Sequence, residues 1–204
     1  MIHEVMVVGV LGCNCSVVGD EGTGEAMVVD PGDDVGGILA VVERHGLRVT
    51  QIVVTHAHID HIAGAAEMRR LTGAPVYYNQ LDLPLLAMME EQAGWVGMRT
   101  PVVEAPDVDA VEGLRVGGGV VIHTPGHTEG SICLHFEDAG LLLAGDTLFA
   151  GTVGRTDLPG GDMRKLMASL RGKLVGLPEG TVVVPGHGER TFIGAELETN
   201  PFLQ

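Results

Sequence analysis

The sequence predicts an α/β fold in which two sheets pack together with helices outside them, and three observations support this. Apolar runs of strand length alternate with amphipathic helical segments over residues 26–78, which is a β-α-β pattern. The residues after 110 again combine strand-length apolar runs with a helical segment. The chain of 204 residues is long enough to bury one good core. We therefore expect one α/β sandwich domain covering residues 1–204.

Each predicted element begins or ends at a recognisable signal. The carboxylates of Asp33 and Asp34 open a helix that Gly46 stops, and Gly73 closes the next helix. Residues 80–92 show one apolar helical face, and residues 93–107 lose the pattern, so they form either a lid over a cleft or a surface loop. We expect strands at 4–10, 14–18, 26–29, 49–55, 76–78, 114–116, 120–124, 131–136, 141–144 and 181–184, and helices from Asp33 to about His45 and at 62–71, 80–92 and 163–174.

Composition restricts the function. With 12 Lys and Arg against 27 Asp and Glu, the formal charge of −15 disfavours nucleic acid and anionic membrane surfaces as partners. The N-terminus lacks the pattern of a signal peptide, so we expect a cytoplasmic protein. The three cysteines, Cys13, Cys15 and Cys133, are too few for a disulfide framework; Cys13 and Cys15 could bind a soft metal, but buried strand positions are favoured. The oligomeric state stays open.

The segment Thr55-His56-Ala57-His58-Ile59-Asp60-His61 carries the strongest chemical signal. An extended backbone would point the rings of His56 and His58 to one side, where they could share a divalent cation. Asp60 and His61 begin a helical segment and would serve a neighbouring second cation. A polar loop with surface histidines is the alternative, but clustered His and Asp are typical metal ligands.

Three further segments place one metal-capable side chain where a strand ends next to a glycine. They end in His127, Asp146 and His187. We expect His127 to join His56 and His58 on one cation and His187 to join Asp60 and His61 on the other, with the Asp146 carboxylate bridging both. His3, His45 and His135 are expected to be surface or packing residues. His123 is expected either to support a ligand or to pack at a strand end.

These motifs resemble those of the metallo-β-lactamase-fold hydrolases. The matching segments are Thr-His-x-His-x-Asp-His at 55–61, Thr-Pro-Gly-His-Thr at 124–128, Gly-Asp-Thr-Leu-Phe at 145–149 and Pro-Gly-His-Gly at 185–188. The resemblance implies a four-layer αβ/βα sandwich with mixed sheets and the metals at one edge. It also implies that Asp30, in Val-Asp-Pro-Gly, orients the His56 segment.

Within that superfamily, Gly-Arg-Thr-Asp at 154–157 and Asn-Pro-Phe-Leu at 200–203 resemble the compact bacterial type of glyoxalase II. The resemblance implies hydrolysis of S-D-lactoylglutathione or a related acyl thioester, with glutathione as one candidate thiol carrier. Arg155 falls where the family often contacts glutathione. A brace formed with Asp157 is its alternative role.

The expected cofactors are two divalent metal ions, zinc first, with iron or manganese as alternatives. Two cations sharing a water supply a hydroxide nucleophile at neutral pH, so His56, His58 and Asp60 are expected to be catalytic through their metals. One rival is a persulfide dioxygenase holding a single iron through His56, His127 and Asp146. Other rivals are a nuclease of the same superfamily, which the acidic charge disfavours, and a non-enzymatic binding module.

Overall fold

The computed structural model describes all residues from Met1 to Gln204, and they fold as two compact units, Met1–Asp109 and Ala110–Gln204. Each unit contains one six-stranded mixed sheet with helices. None of the helices combines the length and the apolar character needed to span a bilayer.

The sheet of the first unit runs in the order β1-β2-β3-β4-β5-β6. Its first three strands pair antiparallel and the remaining pairs are parallel. The strands are β1 Ile2–Val8, β2 Cys13–Asp20, β3 Glu25–Val29, β4 Arg48–Val53, β5 Val76–Tyr78 and β6 Val108–Asp109, and the helices are α1 Val35–Arg44, α2 Ile59–Ile62, α3 Ala65–Thr72, a 3₁₀ turn Gln80–Asp82, α4 Leu83–Leu86 and α5 Met89–Val96.

The core of the first unit is aliphatic, as the low aromatic content predicts. Ile38 of α1, Ile52 of β4 and Met68 of α3 belong to one buried cluster. The side chain of Asp34 caps α1 by accepting a hydrogen bond from the Gly37 amide, which confirms the predicted helix start.

The sheet of the second unit has the order β14-β13-β10-β9-β8-β7, and β10 and β13 are its parallel pair. Its buried cluster includes Leu142, Leu166 and Val183. The strands are β7 Arg115–Val116, β8 Gly119–His123, β9 Ile132–Phe136, β10 Leu141–Gly145, β11 Leu148–Phe149, β12 Thr152–Val153, β13 Val182–Pro185 and β14 Thr191–Phe192, and the helices are a 3₁₀ turn Glu137–Ala139, α6 Met163–Ser169 continued by a π-helical turn Leu170–Leu174, and α7 Ile193–Thr199.

Two predicted helices are interrupted in the structure. The predicted helix 62–71 is instead α2 and α3, which separate at Gly64, whose amide donates to the Pro31 carbonyl oxygen at 2.9 Å. A Cβ on Gly64 would lie only 2.4 Å from that oxygen, so this close approach requires glycine. The predicted helix 80–92 divides into a 3₁₀ turn, α4 and α5, and α5 continues to Val96 into the stretch expected to be irregular.

Four short strands and one α-helix were not predicted from the sequence. β6, the β11–β12 hairpin and β14 contain two residues each, too few to show a period-two pattern. Helix α7 follows β14 directly and its first turn lacks a side-chain cap. The positions of such short strands depend on the neighbouring strands with which they pair.

Candidate metal centre

The ligand segment of the first unit follows β4 and enters α2. The ring centroids of His56 and His58 lie 4.8 Å apart, and those of His56 and His61 lie 4.0 Å apart. His61 Nε2 lies 3.6 Å from Asp60 Oδ2. The His56 and His58 rings are neighbours, as predicted. His61 also lies beside His56, so these four side chains form one cluster.

Asp30 anchors this segment from the end of β3. Its carboxylate accepts hydrogen bonds from the Thr55 amide at 2.6 Å, the Thr55 hydroxyl at 2.7 Å and His61 Nδ1 at 2.9 Å. Asp30 itself has a left-handed backbone conformation with φ 55°, which is unusual for a residue other than glycine. The expectation that Asp30 orients the ligand segment is confirmed, and its bond to Nδ1 leaves Nε2 of His61 as the nitrogen that can bind a metal.

Cys13 lies beside this contact. Its sulfur is 3.6 Å from His61 Nδ1, and Cys13, Asp30 and His61 offer ligand atoms within 4.8 Å of one another. Burial raises the pKa of the Cys13 thiol to about 11, and all three cysteines of the chain are buried and free. Because Asp30 and His61 are already hydrogen-bonded, we assign Cys13 to the support of His61 rather than to a third metal site.

Two other side chains that the sequence did not single out hold the same segment. Asp82 Oδ2 accepts from the Ala57 amide at 2.9 Å, and Gln92 Oε1 accepts from the Ile59 amide at 3.0 Å. Both are buried, at 1% and 2% exposure. Neither Asp nor Gln at these positions carries a motif, so only the folded chain identifies them.

The second unit brings its three predicted ligands together. Asp146 Oδ2 lies 3.6 Å from His127 Nε2 and 3.8 Å from His187 Nε2. Asp146 follows β10 and His187 follows β13, and the Gly186 amide donates to the Gly145 carbonyl oxygen at 2.8 Å where these parallel strands end. Asp146 and His187 are therefore observed at strand ends, and their role as metal ligands stays a prediction.

The loop after β12 fixes the orientation of two of these ligands. His127 Nδ1 donates to the Arg155 carbonyl oxygen at 2.8 Å, which leaves Nε2 facing Asp146. A Cβ on Gly154 would lie 1.9 Å from the Asp146 carbonyl oxygen, so glycine lets this loop pack directly on the ligand backbone. The backbone of this loop thus sets the geometry of His127 and Asp146.

The side chain of Arg155 is exposed and forms two hydrogen bonds with Asp157, at 2.7 and 2.8 Å. These bonds lower the pKa of Asp157 to about 2. The structure therefore contains the bracing pair; contact with a substrate stays a prediction.

His123 Nε2 donates to the Glu129 carbonyl oxygen at 2.8 Å, which agrees with packing at a strand end. His3 contacts Ser16 and His45 contacts Glu4, outside both clusters.

Both clusters suit divalent cations. Separations of 3.6–3.8 Å between carboxylate oxygen and imidazole nitrogen are too long for hydrogen bonds. Two donors bound at about 2.1 Å to one tetrahedral cation lie roughly 3.4 Å apart, close to these values. Imidazole and carboxylate groups are also the ligands that zinc and iron accept. These His and Asp residues thus have the chemistry and the spacing of a metal-binding site.

Comparison with known proteins gives the same assignment. Residues 8–187 match the family model described as the metallo-beta-lactamase superfamily. A protein of Aquifex aeolicus described as uncharacterized is 44% identical over 99% of this chain and 97% of its own length. Hydroxyacylglutathione hydrolase GloC of Haemophilus influenzae is 32% identical over 98% of this chain and 97% of its own length.

Solved structures share the fold over nearly the whole chain. The crystal structure of TTHA1623 in a di-iron-bound form has a TM-score of 0.91 at 39% identity, with 98% of this chain and 100% of that chain covered. BLEG-1 B3 metallo-beta-lactamase also has a TM-score of 0.91, at 34% identity and with both chains covered completely. These similarities confirm the predicted fold class. The chain belongs to the metallo-beta-lactamase superfamily and has its fold.

Proposed function

We propose that this chain is a binuclear metal-dependent hydrolase that cleaves S-D-lactoylglutathione or a related acyl thioester. The observation that carries the two-metal part is the position of Asp146. One oxygen of its carboxylate lies at ligand separation from two different imidazoles, 3.6 Å from His127 Nε2 and 3.8 Å from His187 Nε2. One carboxylate oxygen at this separation from two imidazoles supports a carboxylate shared by two cations.

In this proposal, His56, His58 and His127 would hold one cation, Asp60, His61 and His187 would hold the other, and Asp146 would be shared by both. The clusters within each unit support the assignment, and so does the di-iron form of a relative that is 39% identical. Zinc is the first candidate for the metal and iron the second.

When bound, the cations would activate a water molecule and polarise the substrate carbonyl. The protein contributes orientation: Asp30 directs His61 Nε2, and the Arg155 carbonyl directs His127 Nε2. No carboxylate among the proposed ligands is left to act as a general acid. Thioesters suit such a site, because a thiolate leaves without needing a proton, whereas the amine of an unactivated amide needs one.

The choice of substrate rests on relatives. Two hydrolases named for hydroxyacylglutathione are 32% and 39% identical to this chain, and the first is covered over 97% of its length. Arg155 is the residue proposed to contact the thiol carrier. Its guanidinium is bonded to Asp157 in the structure, so substrate binding would have to share or replace that partner.

A persulfide dioxygenase holding a single iron is the second candidate. The observation in its favour is the close approach of His127 and Asp146, two of the three ligands that this activity would use. His187 and the His61–Asp60 pair have no role in that reading. We therefore favour the hydrolase.

The deciding experiment is a turnover panel on purified protein of measured metal content. It compares lactoylglutathione, an acyl thioester without glutathione, a lactone, a cephalosporin, and glutathione persulfide with oxygen uptake as the readout. We expect about two metal ions per chain and the highest kcat/KM with a thioester. Activity with persulfide and oxygen alone would overturn the proposal.

His58→Ala is the matching variant, and His135→Ala is its control because His135 lies on β9 outside both clusters. We expect His58→Ala to lose at least about a hundredfold in thioester kcat/KM with an unchanged circular dichroism spectrum. His135→Ala should keep both activity and metal. Equal activity in the two variants would contradict the assignment of His58 as a ligand.

A further inference from the structure

Three backbone amides of the ligand segment, at alternate residues, donate to buried side chains. The Thr55, Ala57 and Ile59 amides bond to carboxylate or amide oxygens at 2.6, 2.9 and 3.0 Å. His56 and His58 lie between these anchored positions. The backbone is thus fixed on both sides of each histidine.

Only the first of these anchors, Asp30, comes from the motif-bearing strands. The other two come from segment 79–96, most of which the sequence predicts as a helix with one apolar face at residues 80–92. Asp82 ends the 3₁₀ turn and Gln92 lies in α5. The ligand segment is therefore held from two directions within the first unit.

The chemistry at Gln92 requires an amide side chain. Its Oε1 accepts from the Ile59 amide, and its Nε2 donates to the Leu85 carbonyl oxygen at 3.0 Å. One end must accept and the other must donate, so neither a carboxylate nor an apolar side chain satisfies both partners. Gln92 thereby ties α4, α5 and the ligand segment into one hydrogen-bonded unit.

We propose that Gln92 and Asp82 are positioning residues for the His56–His58 ligand pair, so that segment 79–96 controls how tightly this pair binds its cation. The inference rests on the proposed metal-binding role of His56 and His58, but not on the thioester substrate. Residues that orient ligands typically change metal affinity 10- to 100-fold when replaced. Loss of an anchor lets the ligand backbone sample other conformations, and binding must then restore the order.

The test uses Co²⁺, because its visible absorption reports coordination geometry. The chain is stripped of metal, and the Co²⁺ affinity of wild type and Gln92→Met is measured by chelator competition. We expect binding about 10- to 100-fold weaker in Gln92→Met, with an altered visible spectrum. Hydrogen exchange of the metal-free protein should become faster at the Ile59 amide while the Thr55 amide stays protected.

A matched control separates positioning from general stability. Met89→Ala removes a buried apolar side chain from the same helix without removing a bond to the ligand segment, and should lower stability but keep the Co²⁺ affinity. Asp82→Asn keeps a side-chain oxygen that can accept a hydrogen bond from the Ala57 backbone amide, whereas Asp82→Ala removes that acceptor. We expect the Asn variant to bind Co²⁺ at least tenfold more tightly than the Ala variant.

The outcomes distinguish this inference from the proposed function. A wild-type chain that binds no Co²⁺ refutes the metal-centre proposal itself. If wild type binds Co²⁺ tightly and Gln92→Met stays within threefold of it, or if Met89→Ala weakens binding equally, the positioning role is wrong. Thioester turnover plays no part in either decision.

Discussion

Replacing Gly32 with alanine tests how the backbone of the first cluster is packed. Gly32 follows Asp30 and Pro31, and an added Cβ would lie 1.6 Å from the Asp60 carbonyl oxygen and 2.5 Å from its carbonyl carbon. Real Cβ contacts essentially never fall below 3.0 Å, so the two backbones must separate by at least about 1.4 Å. The opposing atoms belong to the backbone of a proposed metal ligand and cannot rotate away.

The displacement is large relative to what a site tolerates. Catalytic groups need placement within about 0.5 Å, and a misplacement of 1 Å can cost about a hundredfold in rate. We therefore expect Gly32→Ala to lower kcat/KM about a hundredfold and to bind less metal. Overpacking of this kind costs about 1–3 kcal/mol of unfolding free energy, or roughly 2–12 °C in Tm for a chain of this size.

Gly36→Ala is the control, because an added Cβ there meets nothing within 4 Å and the residue lies in α1. The unfolding free energy of Gly36→Ala should rise by about 0.5–1 kcal/mol, since alanine is the better helix former. The assays are calorimetric unfolding, metal content after dialysis, and thioester turnover. A Gly32→Ala protein with wild-type Tm, full metal content and kcat/KM within threefold would refute the packing argument.

Three further predictions concern groups outside the ligand clusters. Glu196→Leu should lower the unfolding free energy, measured by denaturant titration, by about 3–5 kcal/mol. The buried Glu196 carboxylate accepts hydrogen bonds at 2.7–2.9 Å from the Thr191 hydroxyl, the Asn200 side-chain amide and the Gly151 backbone amide, and leucine leaves these donors without an acceptor. Arg155→Ala should move the pKa of the exposed Asp157 carboxyl from about 2 towards 3.8 in an NMR titration, because the hydrogen bond to Arg155 lowers this pKa. Any stabilisation of the folded state by this pair is therefore present above about pH 4 and lost on acidification towards pH 2. A thiol reagent at pH 8 should modify none of the 3 cysteines in the native protein and all of them after unfolding, because burial raises the pKa of Cys13 and Cys133 to about 11; rapid native labelling would contradict this.

Much of the fold follows from patterns of hydrophobicity and turn residues. β5 is observed at the predicted residues Val76–Tyr78, and α1 starts beside the predicted carboxylates. The breaks in the two other predicted helices of the first unit could not be read from the sequence. The first break depends on a contact between Gly64 and Pro31, which are distant in sequence.

The ligand candidates were easier to predict than their supports. His56, His58, Asp60 and His61 stand together in one motif, and Asp146 and His187 follow apolar strands and glycines. By contrast, Cys13, Asp82 and Gln92 look like ordinary strand or helix residues, and each contacts a residue of the ligand segment 25 to 48 positions away. A hydrogen bond to a distant residue leaves no local pattern in the sequence, so only the folded chain identifies these supports.

The burial of all three thiols has a practical consequence for preparing the protein. Shielded sulfur atoms need no dithiol reductant during purification, and dithiols compete with proteins for zinc and iron. The protein can therefore be purified from cell extracts without such additives. A bound metal ion is then retained during purification, and elemental analysis can identify it.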